Sequence, residues 1–457
     1  MVDISNNDTI CALATATGGA IGIIRVSGKD AIRLVQGIFS RPLDDAPANT
    51  IVYGNIVDSK GNIIDEVLVS VFRAPHSYTG EDSVEISCHG SRYVLGVVSR
   101  MLISEGCRQA LPGEFTRRAF ANGKLDLSQA EAVADLIAAT NQSTHRMALG
   151  QLRGNISNKL DLLREQLLKM TSLLELELDF SDHEELEFAD RSALRQLATS
   201  IDNHILKMMN SFTTGQAVKR GIPVAIVGKT NVGKSTLLNS LIGEQRAIVS
   251  DVHGTTRDVI EDAVDINGVT FRFIDTAGLR DTSDEIERIG IGLTYRKLEE
   301  AAIVLWVVDE LPLSEEVVEM KNRCENRQLI VVNNKIDRSD FIVQLKSIVA
   351  DATVIGISAR NGKNVDLLRS LIYDAANIPS ITDNDVIVTS SRHYEALLKA
   401  HVSMERTIES IDFGISGDLL SEDLRLCLDA IAEITGKGII TSAEVLSNIF
   451  SHFCIGK

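Results

Sequence analysis

The sequence contains no apolar run long enough to cross a lipid bilayer. The longest unbroken run covers residues 301–308 of the 457-residue chain, whereas a spanning helix needs about 20 apolar residues. Residues 1–6 lack the basic stretch and apolar core of a signal peptide. Cysteine is scarce, and its six copies show no Cys-x-x-Cys spacing, so neither a zinc site nor a disulfide framework is predicted. Together these absences predict a reduced protein of the cytoplasm.

Basic residues are also in short supply. The chain carries 46 Lys and Arg against 63 Asp and Glu, a net charge of −17. This balance argues against a broad nucleic-acid-binding surface, so contact with RNA would need a local basic patch or a partner. The hydrophobic content of 44% is ample for buried cores, and the length predicts about three domains.

What is present is a phosphate-binding loop. Residues 228–235 read GKTNVGKS and match G-x-x-x-x-G-K-[ST]. An apolar strand, residues 222–227, leads into the loop, and an apolar-periodic helix leads out of it. A chance match in a chain of this length has a probability of about 2%. The backbone N–H groups of such a loop cradle a polyphosphate, Lys234 reaches the β- and γ-phosphates, and Ser235 is placed to bind Mg²⁺.

Further motifs select the nucleotide. Residues 275–278 (DTAG) follow an alternating strand, where an Asp can hold Mg²⁺ through water and a Gly N–H can meet the γ-phosphate. Residues 334–337 (NKID) follow another strand, and the last carboxylate can accept both N–H donors of guanine, which adenine lacks. Residues 358–360 (SAR) supply a loop for the guanine oxygen, and Thr256 can complete the Mg²⁺ shell. Elements in this order resemble the GTPases among P-loop proteins.

The motifs therefore predict a set of GTP-binding residues. From the phosphate loop, the magnesium-binding segment and the two guanine-recognition segments these are Asn231, Val232, Gly233, Lys234, Ser235, Thr236, Thr256, Asp275, Thr276, Ala277, Gly278, Asn334, Lys335, Asp337, Ser358, Ala359 and Arg360.

The flanking regions differ in character. Residues 1–121 predict an α+β domain of short strands separated by polar turns. Apolar residues at helical spacing, from Leu149 to Leu174, predict an apolar seam on one face of a helix. Helical patterns return after residue 378. We predict a multidomain protein: an N-terminal α+β domain (1–121), an all-α domain (122–216 and 379–457) and an inserted α/β P-loop GTPase domain of Ras-like type (217–378).

Three signatures extend the interpretation to the whole chain. They are residues 111–120 (LPGEFTRRAF) with 122–132 (NGKLDLSQAEA), the GTPase core with residues 275–280 (DTAGLR), and the C-terminal residues 453–457 (FCIGK). With these, the sequence resembles the MnmE (TrmE) family of tRNA-modification GTPases. The resemblance implies a GTP-hydrolysing homodimer that acts with an FAD-dependent partner protein on the wobble uridine of tRNA, forming 5-carboxymethylaminomethyl-uridine from a one-carbon unit of 5-formyl- or methylene-tetrahydrofolate.

The resemblance also implies site residues. A potassium site would form when two GTPase domains meet, and its ligands would be Asn231, Ser250, Val252 and Thr255. Ser250 and Thr255 would also belong to the GTP-binding residues. Glu287 would orient the attacking water, because Leu279 occupies the position of the usual glutamine. Between the N-terminal domains of the dimer, the folate-binding residues would be Arg25, Glu81, Lys124 and Lys457.

Several alternatives stay open at this point. Asn231 could instead stabilise its own turn, Glu287 could be one of several solvated carboxylates, and Arg257 could act as an internal arginine finger. Cys454 could be a nucleophile toward uridine or a small apolar residue that packs the last helix. The alternative function is a ribosome-assembly GTPase switch, which the acidic helices and the N-terminal α+β domain disfavour.

Overall fold

The computed structural model describes residues 8–179, 191–243, 262–274, 298–350, 352–379, 382, 385–437, 446, 449, 450, 453 and 456. Contacts divide the chain into two compact units. The first comprises Met1–Ile137, Gln151–Ile201 and Lys399–Lys457, and the second comprises Ala138–Gly150 and Asp202–Leu398. The three-domain bounds given above stay a prediction, whereas the predicted classes of structure are confirmed.

The N-terminal part of the first unit is a mixed sheet with helices packed on it. Its elements are β1 (Ile10–Leu13), β2 (Ile21–Ser27), α1 (Ala31–Gln36), β3 (Thr50–Val57), β4 (Ile63–Phe72), β5 (Ser83–His89), α2 (Arg92–Glu105), β6 (Arg108–Gln109), α3 (Glu114–Ala121) and α4 (Leu127–Ala138). The strand order is β3-β4-β5-β2-β1-β6, and only β1 and β6 pair in parallel. Strand residues Ile24, Val69 and Ile86 share one buried core with Val35 of α1 and Val98 of α2.

Three helices follow: α5 (Gln142–Leu152), α6 (Asn155–Asp179) and α7 (Arg191–Arg220). The prediction of one continuous helical seam from Leu149 to Leu174 is wrong, because α5 ends at Leu152 and α6 begins at Asn155. Gly154 lies between them with φ +89°, a left-handed conformation that ends a helix. On α6 the seam itself is confirmed, since all six of its residues from Ile156 to Leu174 are buried.

The second unit contains a six-stranded sheet, with strand order β12-β11-β10-β7-β9-β8. Its elements are β7 (Ile222–Val227), α8 (Lys234–Ile242), β8 (Asp262–Ile266), β9 (Val269–Phe273), β10 (Ile303–Val308), α9 (Ser314–Arg323), β11 (Gln328–Asn333), α10 (Ile342–Ile348), β12 (Thr353–Gly356) and α11 (Val365–Ala375). All pairings are parallel except β8 with β9. Every residue of β10 is buried, as expected for a central parallel strand covered on both faces. The loops after β7, β11 and β12 carry the phosphate-loop, NKID and SAR motifs.

Two long helices, α12 (Ser391–Asp412) and α13 (Gly417–Thr435), follow the second sheet in the chain. Helix α13 packs along α6 in the first unit, and Arg425 pairs with Glu175 at 3.5 Å. Just after α13, Lys437 pairs with Asp161 at 2.8 Å. Among the described residues, no helix combines the length and the apolar character that crossing a membrane requires.

Candidate nucleotide-binding site

The phosphate loop joins β7 to α8 through two glycines with positive φ. Gly228 has φ +152° and Gly233 has φ +95°. A Cβ added at Gly228 would lie 2.2 Å from the Val307 carbonyl oxygen, and one added at Gly233 would lie 2.5 Å from Nδ2 of Asn334. Both positions therefore require glycine for conformation and for space. The loop backbone is free to form a cradle in front of the N-terminus of α8, where the helix dipole favours an anion.

Lys234 is the first residue of α8 and folds back over its own loop. Its Nζ donates hydrogen bonds to the carbonyl oxygens of Gly228 at 2.6 Å and Lys229 at 2.8 Å. Burial lowers the pKa of the Lys234 ammonium group, because desolvation disfavours its charged form. These two partners are uncharged carbonyl groups. A polyphosphate bound in the loop would give the partly buried ammonium group an anionic partner.

Asn334 links the phosphate loop to the second guanine-recognition segment. Its side chain is buried, with Nδ2 donating to the Val232 carbonyl at 2.8 Å and Oδ1 accepting from the Ala359 amide at 3.1 Å. One amide side chain thereby sets the distance between the segments that would hold the phosphates and the base.

Two other residues of the NKID segment have different partners: Lys335 contacts the phosphate loop, and Asp337 contacts the SAR segment. Lys335 donates to the Asn231 carbonyl at 2.6 Å and pairs with Asp309 at 2.7 Å. The exposed carboxylate of Asp337 accepts a hydrogen bond from Ser358 Oγ at 2.6 Å, and this bond lowers the pKa of Asp337. The carboxylate is therefore ionised at neutral pH and open to solvent, as an acceptor for two base N–H groups must be.

The predicted folate residues of the first unit gather around the loop between β4 and β5. The Arg25 guanidinium carbon lies 5.5 Å from the centre of the Tyr78 ring, and its NH1 donates to the Gly456 carbonyl at 3.3 Å. Lys124 Nζ donates to the Pro75 carbonyl at 3.0 Å, and its Cγ would be 3.2 Å from a Cβ added at Gly80.

Comparison with known proteins decides the family. A model described as the MnmE helical domain matches residues 127–454, and one described as the N-terminus of the GTP-binding protein TrmE matches residues 9–124. The chain belongs to the MnmE family of tRNA modification GTPases. The resemblance inferred from its three signatures is thereby confirmed.

Curated MnmE relatives match along their whole length. The tRNA modification GTPase MnmE of Bacteroides thetaiotaomicron is 53% identical over 468 residues, covering 99% of this chain and 100% of the relative. The MnmE of Phocaeicola vulgatus is 50% identical, covering 99% of this chain and 99% of the relative. The MnmE of Porphyromonas gingivalis is 48% identical, covering 99% of this chain and 98% of the relative. Among solved structures, the G domain of the T. maritima FeoB iron transporter aligns with 23% identity, 34% coverage of this chain, 98% coverage of that chain and a TM-score of 0.26.

Part of the predicted MnmE site lies outside the described residues. These are the switch, potassium and tail positions Ser250, Val252, Thr255, Thr256, Asp275, Thr276, Ala277, Gly278, Glu287, Cys454 and Lys457. The other predicted GTP-binding residues fall on the loops that follow β7, β11 and β12 and on the first turn of α8.

Two site residues were missed by the sequence reasoning. Asp309, just after β10, holds Lys335 against the phosphate loop; an acidic residue at the end of an apolar strand was the available signal. Arg118 lies within the LPGEFTRRAF signature, and its side chain is only 2% exposed. It contacts the predicted folate residue Glu81 at 3.2 Å.

Proposed function

We propose that this chain is the GTP-hydrolysing component of a complex that forms 5-carboxymethylaminomethyl-uridine at the wobble position of tRNA. The observation that carries the proposal is the match to MnmE relatives over 99% of the chain. The GTP site fits it, because the phosphate loop and both guanine-recognition segments are held together by Asn334. As a homodimer, the protein would act with an FAD-dependent partner protein and a folate-bound one-carbon unit.

The modification itself is tested by mass spectrometry of tRNA nucleosides. Cells that lack the protein are expected to lose the modified wobble uridine, and the gene for the parent chain should restore it. A variant with Lys234→Ala is expected not to restore it, because the phosphate loop loses its cation. Normal wobble nucleosides with defective ribosomal subunits would instead favour the ribosome-assembly alternative.

Magnesium fits the proposed GTP site through hydroxyl oxygens. Ser235 lies in the first turn of α8, directly after Lys234 and Gly233, and Thr256 would provide a second oxygen. Mg²⁺ bound there would neutralise charge between the β- and γ-phosphates. The protein's own contribution is the phosphate loop, whose glycines let its backbone pack closely against Val307 and Asn334.

Potassium activation is the second part of the proposal. Asn231 has an exposed side chain in a left-handed turn of the phosphate loop, with φ +62°. Its carbonyl is already used by Lys335, which leaves the side-chain oxygen for a monovalent cation. With Ser250, Val252 and Thr255, it would place K⁺ where other GTPases use an arginine finger.

Hydrolysis is therefore expected to be about tenfold or more faster in K⁺ than in Na⁺ at equal ionic strength. Glu287→Ala should bind GTP normally but lose turnover on the order of a hundredfold or more, because the attacking water loses its orienting base. Phosphate release measured in both salts checks these expectations, with the neighbouring Glu285→Ala as the matched control. Equal rates in the two salts would remove potassium from the proposal, and an unimpaired Glu287→Ala would remove that residue.

Folate binding is the third part. A reduced folate carries a flat pterin with N–H donors and an anionic glutamate, so its site needs a carboxylate and cations. Glu81 would pair with the pterin donors, and Arg25, Lys124 and Lys457 would meet the anionic groups. Gly456 packs closely against Leu13, since a Cβ added at Gly456 would lie 2.2 Å from the Leu13 carbonyl oxygen. This contact supports a contribution of the C-terminal tail to the folate site.

Calorimetry with 5-formyl-tetrahydrofolate is expected to show binding to the parent chain and about tenfold or greater weakening in Arg25→Ala and in Glu81→Ala. Each variant removes a charged hydrogen-bonding group from the proposed pocket. Arg33→Ala is the control, because Arg33 is an exposed arginine of the same domain that pairs with Asp30 on the surface. Undiminished binding in both test variants would place the pocket elsewhere.

A further inference from the structure

The carboxylate of Glu81 is held in one orientation from its buried side. Arg118 NH1 donates to its two oxygens at 3.2 and 3.3 Å, and Ser27 Oγ donates to one of them at 2.8 Å. The Ser27 hydroxyl is in turn fixed by Thr79 Oγ1 at 2.7 Å and Ser83 Oγ at 3.1 Å. Because NH1 also donates to the Asp8 carbonyl at 2.8 Å, its contacts with Glu81 amount to one hydrogen shared between the two oxygens. With the Ser27 hydroxyl, two donor hydrogens are used, which leaves acceptor capacity on a carboxylate that offers about four lone-pair directions.

Arg118 is itself immobilised. Its side chain is 2% exposed, and NH2 donates to Asp8 at 2.5 Å and to Glu114 at 3.2 Å. Arg108 pairs with the same two carboxylates at 2.6 and 2.5 Å but makes no contact with Glu81 among those recorded for the described residues. Arg118 is thus held by contacts within the cluster itself.

The Glu81 side chain, in contrast, is 14% exposed, while Arg118 beneath it is closed to solvent. Its remaining acceptor directions therefore point away from the cluster, toward the side from which a ligand could reach it. Because Arg118 and Ser27 hold the Glu81 carboxylate from its buried side, it is aimed before any ligand arrives. Preorganisation of this kind strengthens binding by reducing the ordering cost on association.

We propose that Arg118 and Ser27 are positioning residues that orient the Glu81 carboxylate toward paired N–H donors of a bound pterin. This inference rests on the proposed folate site. It adds that recognition of the pterin depends on two residues that do not themselves touch the ligand. If Arg118 and Ser27 only helped the domain to fold, replacing them would lower the stability of the protein but would not change its preference between ligands.

The test uses the full-length protein, calorimetry and two ligands: 5-formyl-tetrahydrofolate and a 2-desamino-2-methyl analogue that lacks the exocyclic amino donor. Ser27→Ala is expected to weaken binding of the first ligand about tenfold, and Arg118→Lys about tenfold or more, because a charged hydrogen bond is lost. Both variants should lose less affinity for the analogue than for the first ligand, since the analogue keeps the ring N–H but lacks the exocyclic amino group, one of the two donors that Glu81 serves. Arg108→Lys is the matched control, because it perturbs the same cluster without a recorded contact to Glu81.

A double-mutant cycle separates orientation from packing. If Ser27 acts through Glu81, adding Ser27→Ala to Glu81→Gln should change affinity by no more than about twofold. Additive losses, or equal losses for both ligands, would overturn the inference while leaving the folate site in place. No binding of folate by the parent chain would overturn the folate proposal and this inference with it. Should Arg118→Lys fail to fold, as circular dichroism would reveal, the Ser27→Ala results alone decide.

Discussion

Replacing Asp337 by asparagine is expected to weaken GTP binding on the order of a hundredfold or more. The carboxylate is ionised and exposed, and Ser358 Oγ fixes it at 2.6 Å. An amide at this position would place an N–H donor against a guanine N–H donor, so one favourable bond becomes a repulsive contact. Titration with a fluorescent GTP analogue measures the loss.

The same substitution should create a new preference. Xanthosine triphosphate carries an oxygen where guanine has its 2-amino group, so the asparagine amide can donate to it and still accept from the ring N–H. The variant is therefore expected to bind this nucleotide better than GTP, reversing the order of the parent. Asp366→Asn, at a carboxylate of the same unit with 94% exposure, should change neither affinity. An Asp337→Asn variant that keeps the parental preference for GTP would show that the NKID segment does not read the base.

The predictable part of the nucleotide site is the part that local chemistry dictates. A phosphate loop needs glycines with positive φ, and Gly228 and Gly233 have it. Its cation follows the second glycine at a fixed spacing, so Lys234 could be assigned without tertiary information. The contacts of Lys335 with Asp309 and of Asn334 with Val232 could not, because each joins segments that only the parallel sheet brings together.

The apolar periodicity did not reveal the break between α5 and α6, because the turn there keeps the helical spacing of the apolar residues. Leu152 and Ile156 are four residues apart, the helical spacing, although α5 ends at the first and α6 begins just before the second. The apolar pattern therefore passes through the break without a change, and Gly154 is the local residue that marks it. Strand β6 is two residues long and pairs with β1 about a hundred residues earlier in the chain, so no alternating pattern could reveal it.

The cluster around Arg118 shows a different limit. Arginine is rarely fully buried unless it is paired, and nothing in its neighbours along the sequence predicts the partners Asp8 and Glu81. Those partners are 110 and 37 positions away. The family resemblance selected Glu81 as a site residue, but the physical reason for its orientation required the three-dimensional contacts.

Gly228→Ala is expected to destabilise the second unit and to abolish GTP binding. The new Cβ would lie 2.2 Å from the Val307 carbonyl oxygen, a backbone atom of the central strand β10 that cannot move without disturbing the sheet. The positive φ adds strain of about 1–2 kcal/mol, and the overlap adds about 1–3 kcal/mol. We therefore expect a loss of about 2–5 kcal/mol.

Trp306 makes this loss measurable in the full chain. It is the single tryptophan of the sequence, buried in β10 one residue before Val307, so its fluorescence reports the unfolding of this sheet. Gly362→Ala is the matched control: it also has positive φ, at +68°, but an added Cβ there would meet nothing within 4 Å. Gly362→Ala should lose only the strain term, about 1–2 kcal/mol, and should still bind GTP. If the two variants unfold at the same denaturant concentration, the phosphate loop can shift to accommodate a side chain, and the glycine is required for conformation alone.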